Sequence, residues 1–176
     1  MAQTRELRRR IFFALWPDED TRRAMVRATR AAVRRSGGKA TPAANLHVTL
    51  AFLGPVTEAH LNAVRHIGVP TAGRFEMTFD TLGFWERSRV LWAAPGTVPP
   101  RVTALERTLW DRLVALGFER ESRAYRPHVT LARKAHAVDA QLGSVPWPVA
   151  ELALVESKPG ARSPVYEVLE TWPLEA

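Results

Sequence analysis

The chain has no cysteine among its 176 residues. That excludes thiol nucleophiles, disulfides and cysteine-ligated zinc, while saying little about compartment. Lysine is scarce as well: of 25 basic residues, three are lysine and 22 are arginine. No apolar run has the length needed to cross a bilayer, and neither a low-complexity segment nor a flexible linker interrupts the chain. Arg8-Arg9-Arg10 followed by Ile11 to Trp16 has the look of a leader. Its apolar part is too short, however, and it stops at Pro17-Asp18-Glu19-Asp20 with no small-residue cleavage site. A buried strand is the better reading, and a cytoplasmic protein with no membrane segment is expected.

What is present is ordinary in bulk and biased in charge. Apolar residues make up 46% and charged residues 24%, enough for one compact domain or two small lobes sharing a core, and a single domain over residues 1–176 is expected. The net charge is +7. Arginine's planar fork suits phosphate, so an anionic partner such as RNA is one reading; an arginine-rich genome would produce the same bias. Charge alone selects neither.

Hydrophobic periodicity gives the element order. Residues 10–16 read as a strand and 17–35 as a helix, with Met25, Thr29, Ala32 and Val33 on its core face. Arg22, Arg23, Arg27, Arg30 and Arg34 lie largely off that stripe, as a solvated face. Residues 46–53 are strand-like and stop at Gly54-Pro55; a second helix spans 57–67. Two strands, 75–84 and 89–93, precede a third helix over 100–116, and strands at 128–133, 152–156 and 165–169 follow. Hairpin-linked strands outnumber helices. That favours an α+β fold with antiparallel sheets over a doubly wound parallel sheet.

The sharpest signal is internal. His47-Val48-Thr49-Leu50-Ala51 recurs letter for letter as His128-Val129-Thr130-Leu131-Ala132, 81 residues later. On a strand, Val48 and Leu50 can anchor in a core while His47 and Thr49 face the other way. A pseudo-twofold axis would then bring both His-Thr pairs to one cleft. Neutral imidazole can deprotonate an attacking water and charged imidazole can protonate a leaving alkoxide. Threonine hydroxyls can donate to non-bridging phosphoryl oxygens. A phosphodiester needs all three functions and, so served, no metal. A buried strand alone would account for valine, threonine and leucine but not for histidine twice. Catalytic zinc takes three protein ligands, and no third histidine or carboxylate has a suitable spacing near either pentapeptide. His60, His66 and His136 lack a threonine companion and read as surface or packing residues.

The chain resembles the 2H phosphoesterase superfamily, named for two H-x-T/S-x motifs. Within it, the likeness is to the bacterial and archaeal RNA 2′,3′-cyclic phosphodiesterases, historically called 2′-5′ RNA ligases. The resemblance covers nearly the whole chain: Arg10 to Ala14, Asn45 to Gly54, Arg87 to Trp92, Pro127 to Arg133, and Glu156-Ser157 through Tyr166 to Leu174. It implies two pseudo-symmetric lobes, each an antiparallel sheet with flanking helices, and an active-site cleft between them. It also implies hydrolysis of an RNA-terminal 2′,3′-cyclic phosphate to a 2′-phosphomonoester, with 2′-5′ ligation as the reverse reaction, by a monomer acting without cofactor. RNA with such an end, tRNA fragments included, would be the partner. By the resemblance His128 is the base and His47 the acid, which two identical motifs cannot decide. Thr49, Thr130 and Arg133 would bind the phosphate, Phe52 would pack on base or ribose, and Tyr166 would touch substrate. Two alternatives stay open: a non-catalytic RNA-end-binding module, and a 2H phosphoesterase acting on a small cyclic phosphate such as a cyclic-phosphorylated ADP-ribose.

Overall fold

In the computed structural model, which describes residues 7–68, 70 and 72–175, nine strands form a continuous antiparallel sheet accompanied by three helices. Residues 1–6, 69, 71 and 176 of the expected domain lie outside the described residues.

The chain opens with β1 (Arg9–Leu15), whose run Ile11 to Leu15 is buried on both faces. Helix α1 (Glu19–Arg35) starts where the Asp18 carboxylate accepts a 2.7 Å bond from the Thr21 N–H, satisfying an orphan donor of the first turn. Met25, Thr29 and Ala32 point inward as the periodicity predicts. Arg22 departs from its expected solvated face. It is half-buried and donates to the carbonyls of Ala43 and Pro17 at 2.7 and 3.0 Å.

After the two-residue β2 (Lys39–Ala40) and a 3₁₀ turn (Ala43–Asn45) comes β3 (Val48–Val56). It runs on past the expected stop, because Gly54 takes a left-handed φ of +71° and keeps its pairing with Ile11. Helix α2 (Glu58–Arg65) is capped by Thr57; β4 (Phe75–Trp85), β5 (Val90–Pro95) and α3 (Pro100–Ala115) follow. The remaining strands are β6 (Val129–Arg133), β7 (Val145–Val149), β8 (Glu151–Lys158) and β9 (Val165–Pro173).

β7 is not legible from propensity, since Val145-Pro146-Trp147-Pro148-Val149 places two prolines in five residues. It is tolerated because β7 is the outermost strand of the order β7-β4-β5-β6-β3-β1-β8-β9. Val145, Trp147 and Val149 face the core and both prolines face out.

The order falls into two sets of four strands. One set, β4 to β7, is a contiguous run of chain, whereas the other joins β1 and β3 to β8 and β9 from the far end. The sets meet at a single antiparallel pair, Val48 with Val129, both essentially inaccessible. The helices cross over this seam: α1 packs against β7 and β6, and α3 against β3.

Candidate active site

The seam pair is the centre of the repeated pentapeptide. Antiparallel pairing at Val48 and Val129 creates a local twofold axis that sets His47 and Thr130 to one side and Thr49 and His128 to the other. Val48, Leu50, Val129 and Leu131 are buried in the main core. His47, Thr49, His128 and Thr130 are half-buried and line one cavity of about 930 Å³. Arg133, Phe52 and Tyr166 line it too, so every residue singled out in the sequence meets there. Phe52 is 43% exposed. It is therefore wall and not core, and the Arg10 guanidinium lies 4.8 Å from its ring centre. Arg8, Lys39 and Arg162 add positive charge to the cavity wall.

Both imidazoles are oriented by backbone. His47 Nδ1–H donates to the Asn45 carbonyl at 2.7 Å, and His128 Nδ1–H to the Arg126 carbonyl at 2.8 Å. A carbonyl can only accept, so in the neutral rings Nε2 carries the free lone pair and is the reactive nitrogen in each. Here the two sites part. His47 Nε2 lies 2.9 Å from Thr49 Oγ1. Its ring stacks on Trp16 at 5.6 Å and meets Phe12 at 5.0 Å and Tyr166 edge-on at 5.3 Å. Among the described residues His128 has one aromatic neighbour, Trp85, edge-on at 4.6 Å.

Phe12 and Ala14 of β1 join Ala153 and Val155 of β8 in a second apolar cluster, on which Trp16 and Tyr166 pack. This cluster floors the cleft beneath His47 and explains why β1 is buried on both faces. On the opposite set, Trp92 lies across Gly83, where a Cβ would come within 2.0 Å of the indole. Trp92 supports Trp85 from 5.5 Å, and Trp85 in turn meets His128.

Electrostatics follow burial. Desolvation pushes His47 from 6.5 down to about 4, opposed by the Asn45 carbonyl and aided by the charges of His128, Arg133 and Arg22. His128 is also held below 6.5, by burial first and by Arg133 last, against the pull of the Arg126 carbonyl. Each imidazole is thus biased towards its neutral form, and the positive charge of the cleft comes from its arginine and lysine side chains.

Several positioning residues escaped the sequence reading. The Asn45 amide donates to the Pro164 carbonyl at 2.8 Å, tying the turn before His47 to the segment before β9. Arg22 holds the same turn from α1. Tyr125 donates its hydroxyl to the Thr49 carbonyl at 3.2 Å, linking the approach to one motif with the body of the other. Asn45 and Tyr125 each fall two or three residues ahead of a motif histidine. That spacing was the available signal. Among the described residues no group of three or more histidine or acidic side chains is arranged to hold a metal ion.

A family profile described as the 2′-5′ RNA ligase superfamily matches residues 16–160. The chain is 31% identical over 173 residues to the RNA 2′,3′-cyclic phosphodiesterase of Escherichia coli (strain K12), a match covering 94% of this chain and 96% of that protein. It is 31% identical over 187 residues to the RNA 2′,3′-cyclic phosphodiesterase of Thermus thermophilus, covering 94% of this chain and 90% of that one. The crystal structure of E. coli LigT complexed with 3′-AMP matches with a TM-score of 0.87 at 29% identity, over 95% of this chain and 98% of that chain.

Proposed function

Since the chain belongs to the 2′-5′ RNA ligase superfamily, we propose that it is an RNA 2′,3′-cyclic phosphodiesterase that opens a terminal cyclic phosphate to a 2′-phosphomonoester. One observation carries the reading: two imidazoles, each pinned through Nδ1 to a carbonyl, border one cavity with a threonine beside each. Relatives bearing that activity in their names support the substrate class. The basic wall of Arg8, Arg10, Lys39 and Arg162 suits a polyanion.

In this reading His128 Nε2 takes the proton of the attacking water as its oxygen bonds to phosphorus. The P–O3′ bond breaks, and His47 gives its proton to the departing 3′ oxygen. Thr49, Thr130 and Arg133 hold the non-bridging oxygens, where charge is spread in the transition state. Phe52 and Tyr166 pack against the terminal nucleoside. The same steps with a 5′-hydroxyl in place of water give 2′-5′ ligation, and run backwards they cleave a 2′-5′ phosphodiester to the cyclic phosphate.

His47 must be charged to act as the acid, yet burial disfavours that charge in the empty cleft. The substrate's phosphodiester supplies the counter-charge, so His47 takes up its proton as substrate binds. The test is conversion of an oligoribonucleotide ending in a 2′,3′-cyclic phosphate, in EDTA, with product analysis. A 2′-phosphate product is expected. Tight binding without turnover, or a 3′-phosphate product, would refute the proposal.

A further inference from the structure

His128 has a second side. A groove of about 530 Å³ opens there, sharing Thr49, Phe52 and His128 with the main cleft but not bordered by His47. Its walls are the rings of Trp85, Trp110 and Tyr125, and its rim carries Arg123 and Arg126. Hydrolysis of a cyclic phosphate leaves this space without a task, because the nucleophile on the His128 side is a water molecule.

We propose that this groove binds the nucleoside carrying the 5′ oxygen of a 2′-5′ phosphodiester, the incoming partner in joining and the departing one in cleavage. This rests on the function proposed above. Displacement at phosphorus keeps the entering and leaving oxygens roughly in line, so whatever is attached to them lies on opposite sides of the phosphate. The terminal nucleoside retained through its 2′ and 3′ oxygens belongs to the larger cleft, beside His47. A nucleoside on the oxygen served by His128 is directed to the far side, where the groove lies.

Size and chemistry fit that guest. A cavity of about 530 Å³ is within the usual range for small-ligand sites, roughly 300–1,000 Å³. Trp85 and Tyr125 are half-buried and leave ring surface on which a base can stack with little regard to sequence, while Trp110 is buried in the core behind them. The acids of the groove are already answered, Glu106 by Arg120 at 2.7 and 2.9 Å and Glu121 by Arg123 at 3.2 Å. Among the described residues Arg126 has no carboxylate partner and can meet the next phosphate of the incoming strand.

The step balances without a co-reactant. In joining, the 5′ oxygen bonds to phosphorus, its proton goes to His128, the P–O3′ bond breaks, and His47 protonates the 3′ oxygen. In cleavage His47 takes the proton of the attacking 3′ hydroxyl, the P–O5′ bond breaks, and His128 protonates the departing 5′ oxygen, so that the cyclic phosphate and a 5′-hydroxyl are released.

The experiment compares cleavage of 2′-5′-linked adenylyl-adenosine with hydrolysis of adenosine 2′,3′-cyclic phosphate. The variants are Ala124→Trp, which fills the groove, and Arg126→Glu, whose carbonyl to His128 is unchanged; ellipticity melts check folding. The expected result is a fall of tenfold or more in dinucleotide cleavage relative to cyclic-phosphate hydrolysis, with Arg126→Lys restoring most of it. Proportional loss of both activities, or an unchanged ratio, overturns the inference. So does a loss confined to a 3′-5′ dinucleotide ending in cyclic phosphate, which would put the upstream nucleotide of the same strand in the groove. Wild-type protein that hydrolyses the cyclic phosphate but never cleaves the 2′-5′ link overturns the groove alone. Protein inactive on every cyclic phosphate overturns the function beneath it.

Discussion

Five identical residues occur twice, yet the two histidines live in different surroundings. His47 is stacked, edge-packed and bonded to its own threonine; His128 has one aromatic edge and lies between two cavities. The pentapeptide delivers each ring to the seam, but neighbours from other elements set its protonation and its access. The repeat accounts for what the two sites share, and the surroundings account for how they differ.

Removing either ring is the largest way to break the comparison. His47→Ala and His128→Ala should each lower turnover of a cyclic-phosphate RNA by roughly 100- to 10,000-fold, the usual worth of a general acid or base. Single-turnover assays would measure it, and a variant that keeps full activity removes its histidine from the chemistry.

The pH profile comes next. With the proposed roles, reaction from the free protein needs His128 neutral and His47 charged. The neutral fraction of His128 grows as pH rises through a value held below 6.5, while the charged fraction of His47 shrinks above about 4. The profile of kcat/KM should therefore peak on the acid side of 6.5 and fall about tenfold per pH unit beyond it. The descending limb of kcat, measured with substrate bound, should lie at higher pH. A descending limb of kcat/KM above neutrality would give the acid's role to another group.

Smaller effects sharpen the contrast. With the proposed roles, Thr49→Val and Thr130→Val should both slow the reaction by about tenfold or more, since each would remove a bond to the phosphate worth roughly 1.5–3 kcal/mol. Only Thr49→Val should also displace the pH profile, because Thr49 alone bonds its histidine. Tyr125→Phe should be mildest. It deletes one neutral hydrogen bond across the seam, worth about 0.5–1.5 kcal/mol, and should lower the melting temperature by only a few degrees, near ~2–4 °C per kcal/mol at this size.

Much of the site was legible because a repeated motif carries its own alignment. Alternation along a strand put valine and leucine inward and left histidine and threonine for the cleft, as the buried Val48 and Val129 bear out. Arg133, Phe52 and Tyr166 came through family likeness and do line the cavity. What sequence could not supply was contact between distant elements. Trp16 stacking on His47 and Arg22 reaching the turn at Ala43 have no local signature, and the place of Tyr125 three residues ahead of His128 does not name Thr49 as its partner, since each contact depends on how separate strands and helices are apposed. β7 was hidden for a different reason. Its prolines argue against a strand wherever N–H groups must be paired, and only the edge position lifts that objection.

The crossing of the helices over the seam bears on how the chain can come apart. Residues 75–149 resemble a cassette inserted between two flanks, yet α3 leaves that cassette to lie on β3, and α1 arrives from outside to cover β6 and β7. Excised, the cassette would carry an unhoused apolar helix and a naked sheet; the remnant would suffer the reciprocal defect. Each portion completes the other's interior. Thermal denaturation of the intact chain should therefore proceed in one transition, and co-expressed fragments should regain solubility only as a pair.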